Sequence, residues 1–249
     1  MTGLLAASRA PDPFEAPGLE IFETPCLAEW NAFGVQFCLN RTMLYMFIGS
    51  ALVIALFVVA ARRRSLVPRG VRNVVESIID FVQEQIALPV IGEEGRPWVP
   101  FLTSLFTFIL VNNITGIIPG VQFPVTSRIA IPAFLAALVW VLFVTVGFRY
   151  QGLGYVKNVL FPPGVPKAIY VLLTPIEFVS TFMVRPLTLT VRLMANMTAG
   201  HLILTIFFLG TAYLLLAPPF VFGAASFALG TALVGFEILV AVLQAYIFT

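Results

Sequence analysis

The sequence is poor in charge. Charged residues make up 10% of its 249 residues, whereas a soluble globular chain has about 25%. The formal net charge of +2 is too small to indicate nucleic-acid binding. Histidine and cysteine are scarce too, at one and two residues. The sequence contains no zinc-type cluster, phosphate-binding Gly-Lys loop or Gly-x-Ser-x-Gly turn. It therefore predicts no soluble catalytic centre, no metal site and no cofactor.

Apolar residues are in excess, at 59% of the chain, against about 45–50% in soluble proteins. They form runs long enough to cross a bilayer, for which a helix needs about 20 residues. These runs are residues 43–61, 98–118, 129–148, 168–216 and 220–249. The predicted fold class is therefore an all-α integral membrane protein. The run 168–216 exceeds one perpendicular crossing, so it is either two tightly joined spans or one strongly tilted helix.

Basic residues indicate which side of the membrane each connection faces. Arginines occupy positions 62–64 after the first span, and Lys157 and Lys167 lie in the connection after the third. The positive-inside rule makes both segments cytoplasmic, which places the N-terminus outside and the C-terminus inside. Residues 68–88 combine apolar side chains at helical spacing with a charged opposite face. This pattern predicts an amphipathic helix on the membrane surface or against a partner.

Both cysteines, Cys26 and Cys38, precede the first span. They can form a disulfide if this segment lies in an oxidising compartment. Two unpaired thiols are the alternative, and the sequence leaves both open.

Charge is rarest where the chain is most apolar. Residues 168–249 carry five groups that are readily charged, namely Glu177, Arg185, Arg192, His201 and Glu237. A guanidinium stays charged at any relevant pH, and at bilayer depth it costs about 2.5–3.5 kcal/mol on insertion scales. Such charges usually face protein or water along an ion path. Arg192 and Glu237 therefore indicate an ion pathway.

A polar stripe follows the helix that carries Arg192. At about 100° per residue, four further polar side chains lie within about 60° of it. They are Thr181, Arg185, Thr188 and Asn196. His201 falls on the opposite face, about 13 Å along the axis, and Gly200 beside it permits close approach by another backbone. On the last helix, Glu237 and Gln244 share one face.

These residue types suit proton transfer. Histidine titrates near neutral pH and can relay a proton, and a carboxylate in a polar cavity can do the same. An arginine instead blocks a proton wire while it attracts a passing carboxylate. The pattern predicts an electrostatic gate between two proton pathways.

The same residues also have plainer interpretations. Arg185 can pair with Glu177 or extend to the cytoplasmic interface, and the threonines of the stripe can be packing residues. A lone histidine is more often a hydrogen-bonded interior residue than a relay. Asn112 and Asn113 fit interhelical hydrogen bonds better than a site.

Three segments resemble subunit a of the F-type ATP synthases. One is Pro186-Leu-Thr-Leu-Thr-Val-Arg192-Leu-Met-Ala-Asn196-Met-Thr-Ala-Gly200-His201, which is similar to the family signature around an essential arginine. Another is Glu237-Ile-Leu-Val-Ala-Val-Leu-Gln244-Ala-Tyr-Ile-Phe248, similar to the family's last helix. The third is Asn113-Ile-Thr-Gly116-Ile-Ile-Pro119. The resemblance covers about residues 35–249, and Met194 departs from the phenylalanine common in the family.

The resemblance implies a role for each candidate residue. Arg192 would face a rotating ring of c subunits, whose carboxylates carry protons, and would separate two aqueous half-channels. The outer half-channel would be lined by Asn196, His201, Glu237 and Gln244. Glu177 would lie near the inner half-channel, with Arg185, Thr188 and Ser180 as supporting residues.

The resemblance also implies the setting of the chain. Its partners would be the c-ring subunits, peripheral-stalk b-type subunits and the lipid bilayer, with no nucleic acid. The chain would not be catalytic alone, and it would lie in a bacterial plasma membrane. The two long C-terminal runs would be tilted, membrane-embedded helices.

With these expectations the chain divides into six segments. They are an outer-side N-terminal segment (1–42), a first transmembrane helix (43–64), an amphipathic surface helix and loop (65–97), a transmembrane helix pair (98–148), a cytoplasmic connection (149–167) and a tilted helical hairpin that forms the half-channels (168–249).

Two other classes of function agree less well with the sequence. A secondary transporter with a midplane substrate site predicts inverted repeats and broken helices in matching halves, and the sequence displays neither. A purely structural membrane anchor gives no reason for the cost of Arg192.

Overall fold

The computed structural model describes residues 26–32, 35–62, 70–118, 125–152, 154–161, 169–216 and 220–249. Within these residues, five helices are long and apolar enough to cross a membrane. They are Arg41–Arg62, Glu93–Ile114, Ala130–Gln151, Leu172–Leu215 and Val221–Phe248. A helix satisfies its backbone hydrogen bonds internally, which is what a chain in lipid requires. The predicted all-α membrane class is confirmed.

A short hairpin precedes the first helix. Strand β1, Cys26–Ala32, pairs antiparallel with strand β2, Val35–Asn40, and β2 runs directly into helix α1, Arg41–Arg62. The sequence analysis predicted no strand here, although Gly34 between two alternating runs is a hairpin signal. Cys38 is disulfide-bonded, so the disulfide alternative is the one present.

The amphipathic segment packs on its own chain. It forms helix α2, Val71–Val82, a π-turn, Gln83–Ala87, and helix α3, Leu88–Val90. The apolar face, with Val75, Val82 and Ile86, is buried, and α2 contacts α1 and the next long helix, α4. The location of this segment on the membrane surface or against a partner subunit stays a prediction.

The core surrounds helix α4, Val99–Ile114, which continues from a 3-10 turn, Glu93–Trp98. Ile109 in α4 has 0% exposure. The main buried cluster joins α4 to residues of four other segments, among them Val82, Leu135, Leu193 and Phe248. Burial of these side chains fixes α4 as the central helix on which the others pack.

The long apolar run after residue 168 is one continuous helical stretch. Helix α7, Tyr170–Val179, passes through a π-turn, Ser180–Val184, into helix α8, Arg185–Leu216. The chain therefore does not turn back within this run, as two joined spans would require, and the tilt of the helix in the membrane stays a prediction. Before this stretch come helices α5, Ala130–Gln151, and α6, Gly154–Leu160; after it comes helix α9, Val221–Phe248.

Candidate functional site

Helices α8 and α9 form an antiparallel pair whose register places the candidate residues. On α9 four buried residues recur at seven-residue spacing, namely Gly223, Gly230, Glu237 and Gln244. A Cβ placed on Gly223 would meet Leu215 at 2.8–2.9 Å, and one on Gly230 would meet Phe207 at 3.4 Å. Glu237, the next residue of this seven-residue repeat, lies against Gly200 of α8. Small residues on α9 thus let the two helices approach closely.

Glu237 is buried in this interface, with 4% exposure. A Cβ on Gly200 would lie 2.9 Å from Glu237 Oε1 and 3.3 Å from its Cδ. The sequence analysis expected Gly200 to admit another backbone, and that detail is wrong, because the approaching group is the Glu237 side chain. Glu237 Oε2 has no hydrogen-bond partner among the described residues. The carboxyl group therefore keeps an oxygen available for a proton or a water molecule.

His201 faces a cavity between helices. Its side chain has 5% exposure and lines a cavity of about 650 Å³ between α8, α9 and the end of α4. Val234 and Ile238, which flank Glu237 in the chain, line the same cavity. The lining residues are Ile114, Gly116, Ile117, Ile118, His201, Leu204, Thr205, Phe208, Leu209, Ala212, Val234 and Ile238.

Arg192 lies on the opposite, exposed side of α8 from His201, as the helical spacing predicts. Leu193 and Met197 on the inward side both have 0% exposure. Among the described residues, no carboxylate pairs with the Arg192 guanidinium. A permanently charged side chain thus lies on the exposed face of a membrane-length helix. Asn196, one turn further along, is half-buried.

The π-turn interrupts the predicted polar stripe, so that residues before and after it differ in exposure. Arg185 and Thr188 are exposed like Arg192, whereas Thr181 has 1% exposure. Trp140 Nε1 donates a hydrogen bond to the Thr181 carbonyl oxygen at 3.4 Å. A π-turn holds an extra residue relative to an α-turn, so the 100° count does not carry through it. Thr181 is therefore a packing residue, which was the plainer interpretation.

Arg185 does not pair with Glu177 in the structure. Its guanidinium carbon instead lies 5.7 Å from the centre of the Phe143 ring on α5, in cation–π range. Glu177 in α7 and Ser180, the first residue of the π-turn, are both half-buried. The four residues predicted for an inner pathway, Glu177, Ser180, Arg185 and Thr188, therefore follow one another from α7 through the π-turn into the first turn of α8.

The two asparagines of α4 are buried, and each contacts a different neighbour. Asn113 Oδ1 accepts a hydrogen bond of 2.8 Å from the Thr126 hydroxyl in a 3-10 turn. Asn112 Nδ2 bonds to the Phe108 carbonyl oxygen of its own helix, and its Oδ1 lies 2.9 Å from where a Cβ on Gly49 would be. Thr126 was not among the predicted residues, because its position in the sequence gives no sign of the hydrogen bond to Asn113.

The arrangement suits proton exchange better than bond-making chemistry. A buried carboxyl group and a histidine-lined cavity lie on the inward side of α8, and a fixed cation lies on its outward side. Among the residues that the structure describes, no group of three His, Cys, Asp or Glu side chains could hold a metal ion. The histidine and the carboxyl group can each take up and release a proton, and the arginine is a fixed positive charge.

Comparison with known proteins gives a consistent family. The family model described as ATP synthase A chain matches residues 43–249. A Frankia alni protein named ATP synthase subunit a is 46% identical over 242 residues, covering 96% of this chain and 84% of that protein. Its Parafrankia counterpart is 48% identical over 247 residues, with 96% and 82% coverage. A Rhodococcus erythropolis protein of the same name is 42% identical over 250 residues, with 98% and 90% coverage.

Proposed function

The chain belongs to the ATP synthase A chain family, and from that premise we propose that it is subunit a of a rotary F-type ATP synthase. In this role it catalyses no reaction alone and carries protons to and from the carboxylates of a c-ring. Arg192 separates the two half-channels. The observation that carries the proposal is the exposed, unpaired position of this arginine among the described residues of a membrane-length helix.

The outer half-channel is assigned to the inward side of α8. A proton enters through the His201 cavity, passes Glu237, and reaches the ring near Asn196 and Gln244. The register of α8 and α9 supports this route, because the spacing that sets Glu237 against Gly200 brings Gln244 to the level of Leu193, next to Arg192. Histidine and carboxyl groups can each accept and release the proton along the way.

The proton then neutralises a ring carboxylate. A neutral carboxyl group enters lipid at much lower cost than a charged one, so the ring turns only after protonation. After nearly a full turn the group meets the inner half-channel near Glu177 and Ser180 and releases its proton. The resulting anion passes Arg192, which stabilises it and prevents a direct proton leak. Arg185 and Thr188 are supporting residues on the same exposed face.

The membrane orientation completes the proposal. The basic segments at residues 62–64 and 149–167 face the cytoplasm of a bacterial cell, so the hairpin before α1 lies outside the plasma membrane and the end of α9 lies inside. Two tilted helices, in the segment 168–249, follow the ring. Peripheral-stalk b-type subunits are further proposed partners.

Purification from membranes tests the proposal. We expect an affinity-tagged chain, extracted in mild detergent, to bring down a ring of small membrane subunits and a stalk subunit. Recovery of the chain without a ring, together with solute uptake in vesicles, would instead support a secondary transporter. Recovery without a ring and without any flux would support a structural anchor.

A further inference from the structure

Arg185 is held from the side by a neighbouring helix. Its guanidinium lies over Phe143 of α5, so the contact joins two membrane-length helices rather than two turns of one. Cation–π attraction strengthens where water is scarce. The side chain therefore has a preferred position, although it is exposed on the surface of the chain.

Phe143 is itself fixed by Tyr155 of α6. The two rings meet edge to face with centroids 6.1 Å apart, and Tyr155 also packs against Phe148 at 5.6 Å. A Cβ on Gly147 would lie 2.5 Å from the Tyr155 ring, so glycine is required there for the ring to fit. We call Phe143, Phe148 and Tyr155 the aromatic bracket. It holds Arg185 at the α7 end of α8.

No acidic group neutralises this cation among the described residues. Burial raises the pKa of the Tyr155 hydroxyl above its usual range, with the Arg185 charge opposing that rise, so Tyr155 stays neutral. The other side chains on α5, α7 and α8 that carry or can carry charge are Arg149, Tyr150, Tyr170, Glu177, Arg192, His201 and Tyr213. Glu177 forms no ion pair with Arg185. The local charge is therefore positive.

We propose that Arg185 is a second fixed cation, which the aromatic bracket holds in the inner half-channel to promote proton release from the ring carboxylate. This inference rests on the proposed function. When the carboxyl O–H bond breaks, the proton passes to water on the inner side, and the electron pair stays on the carboxylate. A nearby positive charge favours that anion over the neutral acid.

The expected size of the effect follows from the position of Arg185. It precedes Arg192 by seven residues on the same exposed face, roughly 10 Å along the helix axis. For a ring carboxylate that passes Arg192 at about that distance from Arg185, and at an effective dielectric constant of about 20, one unit charge shifts the proton equilibrium of the carboxyl group by about one pH unit. Removal of the charge should make the ring carboxylate hold its proton more tightly.

The test measures ATP synthesis against inner pH in vesicles that contain the intact complex, with the total proton-motive force kept constant. For R185Q we expect the midpoint of synthesis to move about one pH unit higher. R185K, which keeps the charge, should stay close to the unmodified complex. F143L keeps the charge but removes the ring, and should move the midpoint in the same direction by less. R149Q removes an equal positive charge from the last turn of α5, where the aromatic bracket does not hold it, and should cause no shift.

The outcomes separate this inference from the proposed function. An unshifted midpoint in coupled R185Q complexes would overturn the inference, as would an equal shift in R185K. If R185Q does not assemble, an unshifted midpoint in F143L overturns it. Normal synthesis by R192A would refute the half-channel mechanism itself, whatever the behaviour of Arg185.

Discussion

The contact between Gly200 and Glu237 gives the sharpest prediction of the account. In Gly200→Ala, the new methyl group would lie 2.9 Å from Glu237 Oε1, so the buried carboxyl group must move. Overpacking of this kind costs about 1–3 kcal/mol. If proton transfer requires the present position, that cost converts to a rate lower by about 5- to 150-fold.

Helix propensity cannot explain such a loss. Alanine is favoured over glycine within a helix by about 1 kcal/mol, so the substitution alone should stabilise α8. Gly210→Ala on the same helix is the matched control, because its Cβ would meet only Ser226 Oγ at an ordinary 3.8 Å. Adding Glu237→Asp to Gly200→Ala shortens the acid by one methylene and should recover part of the flux.

The assay is passive proton flow through the reconstituted membrane sector, with proton-driven ATP synthesis as the second readout. We expect Gly200→Ala to slow both and Gly210→Ala to leave both near the unmodified rate. Equal rates for the two variants would refute the claim that Glu237 must occupy its position against α8.

Two further predictions concern the buried polar groups. Thr126→Val removes the hydrogen bond to Asn113 Oδ1 and leaves a buried amide without that partner. We expect it to lower the thermal stability of the chain in the purified complex by about 1–3 kcal/mol. Thr145→Val, at an exposed hydroxyl, should change that stability by less than about 0.5 kcal/mol, and equal losses in the two variants would contradict the prediction. His201→Ala and Glu237→Gln should slow outer-side proton entry in vesicles while the complex still assembles; unchanged flux in either variant would remove that residue from the pathway.

The membrane class of the fold was predictable because it depends on composition. Apolar runs of sufficient length must be helices in lipid, and the described part of the chain contains five helices of that kind. The spacing of Arg192 and His201 along one helix was likewise enough to place them on opposite faces. The arrangement of the spans across the bilayer stays a prediction.

The tertiary contacts of the candidate site could not be predicted from the sequence. The π-turn at Ser180–Val184 leaves no signal in hydropathy, yet it separates Thr181 from the exposed stripe. The sequence suggested Glu177, on the same helical stretch, as a partner for Arg185, whereas its neighbour in the structure is Phe143 on α5. The packing of Glu237 on Gly200 depends on the register of two helices, which the spacing within either one does not determine.

The central claim is that Arg192 separates two proton pathways by meeting a carboxylate of a neighbouring ring. The most direct measurement is ATP synthesis by Arg192→Ala complexes in vesicles under an imposed proton-motive force, after ring and stalk subunits have been shown to be present. The account predicts that assembled complexes make no ATP from proton flow. Synthesis at the normal rate would contradict it.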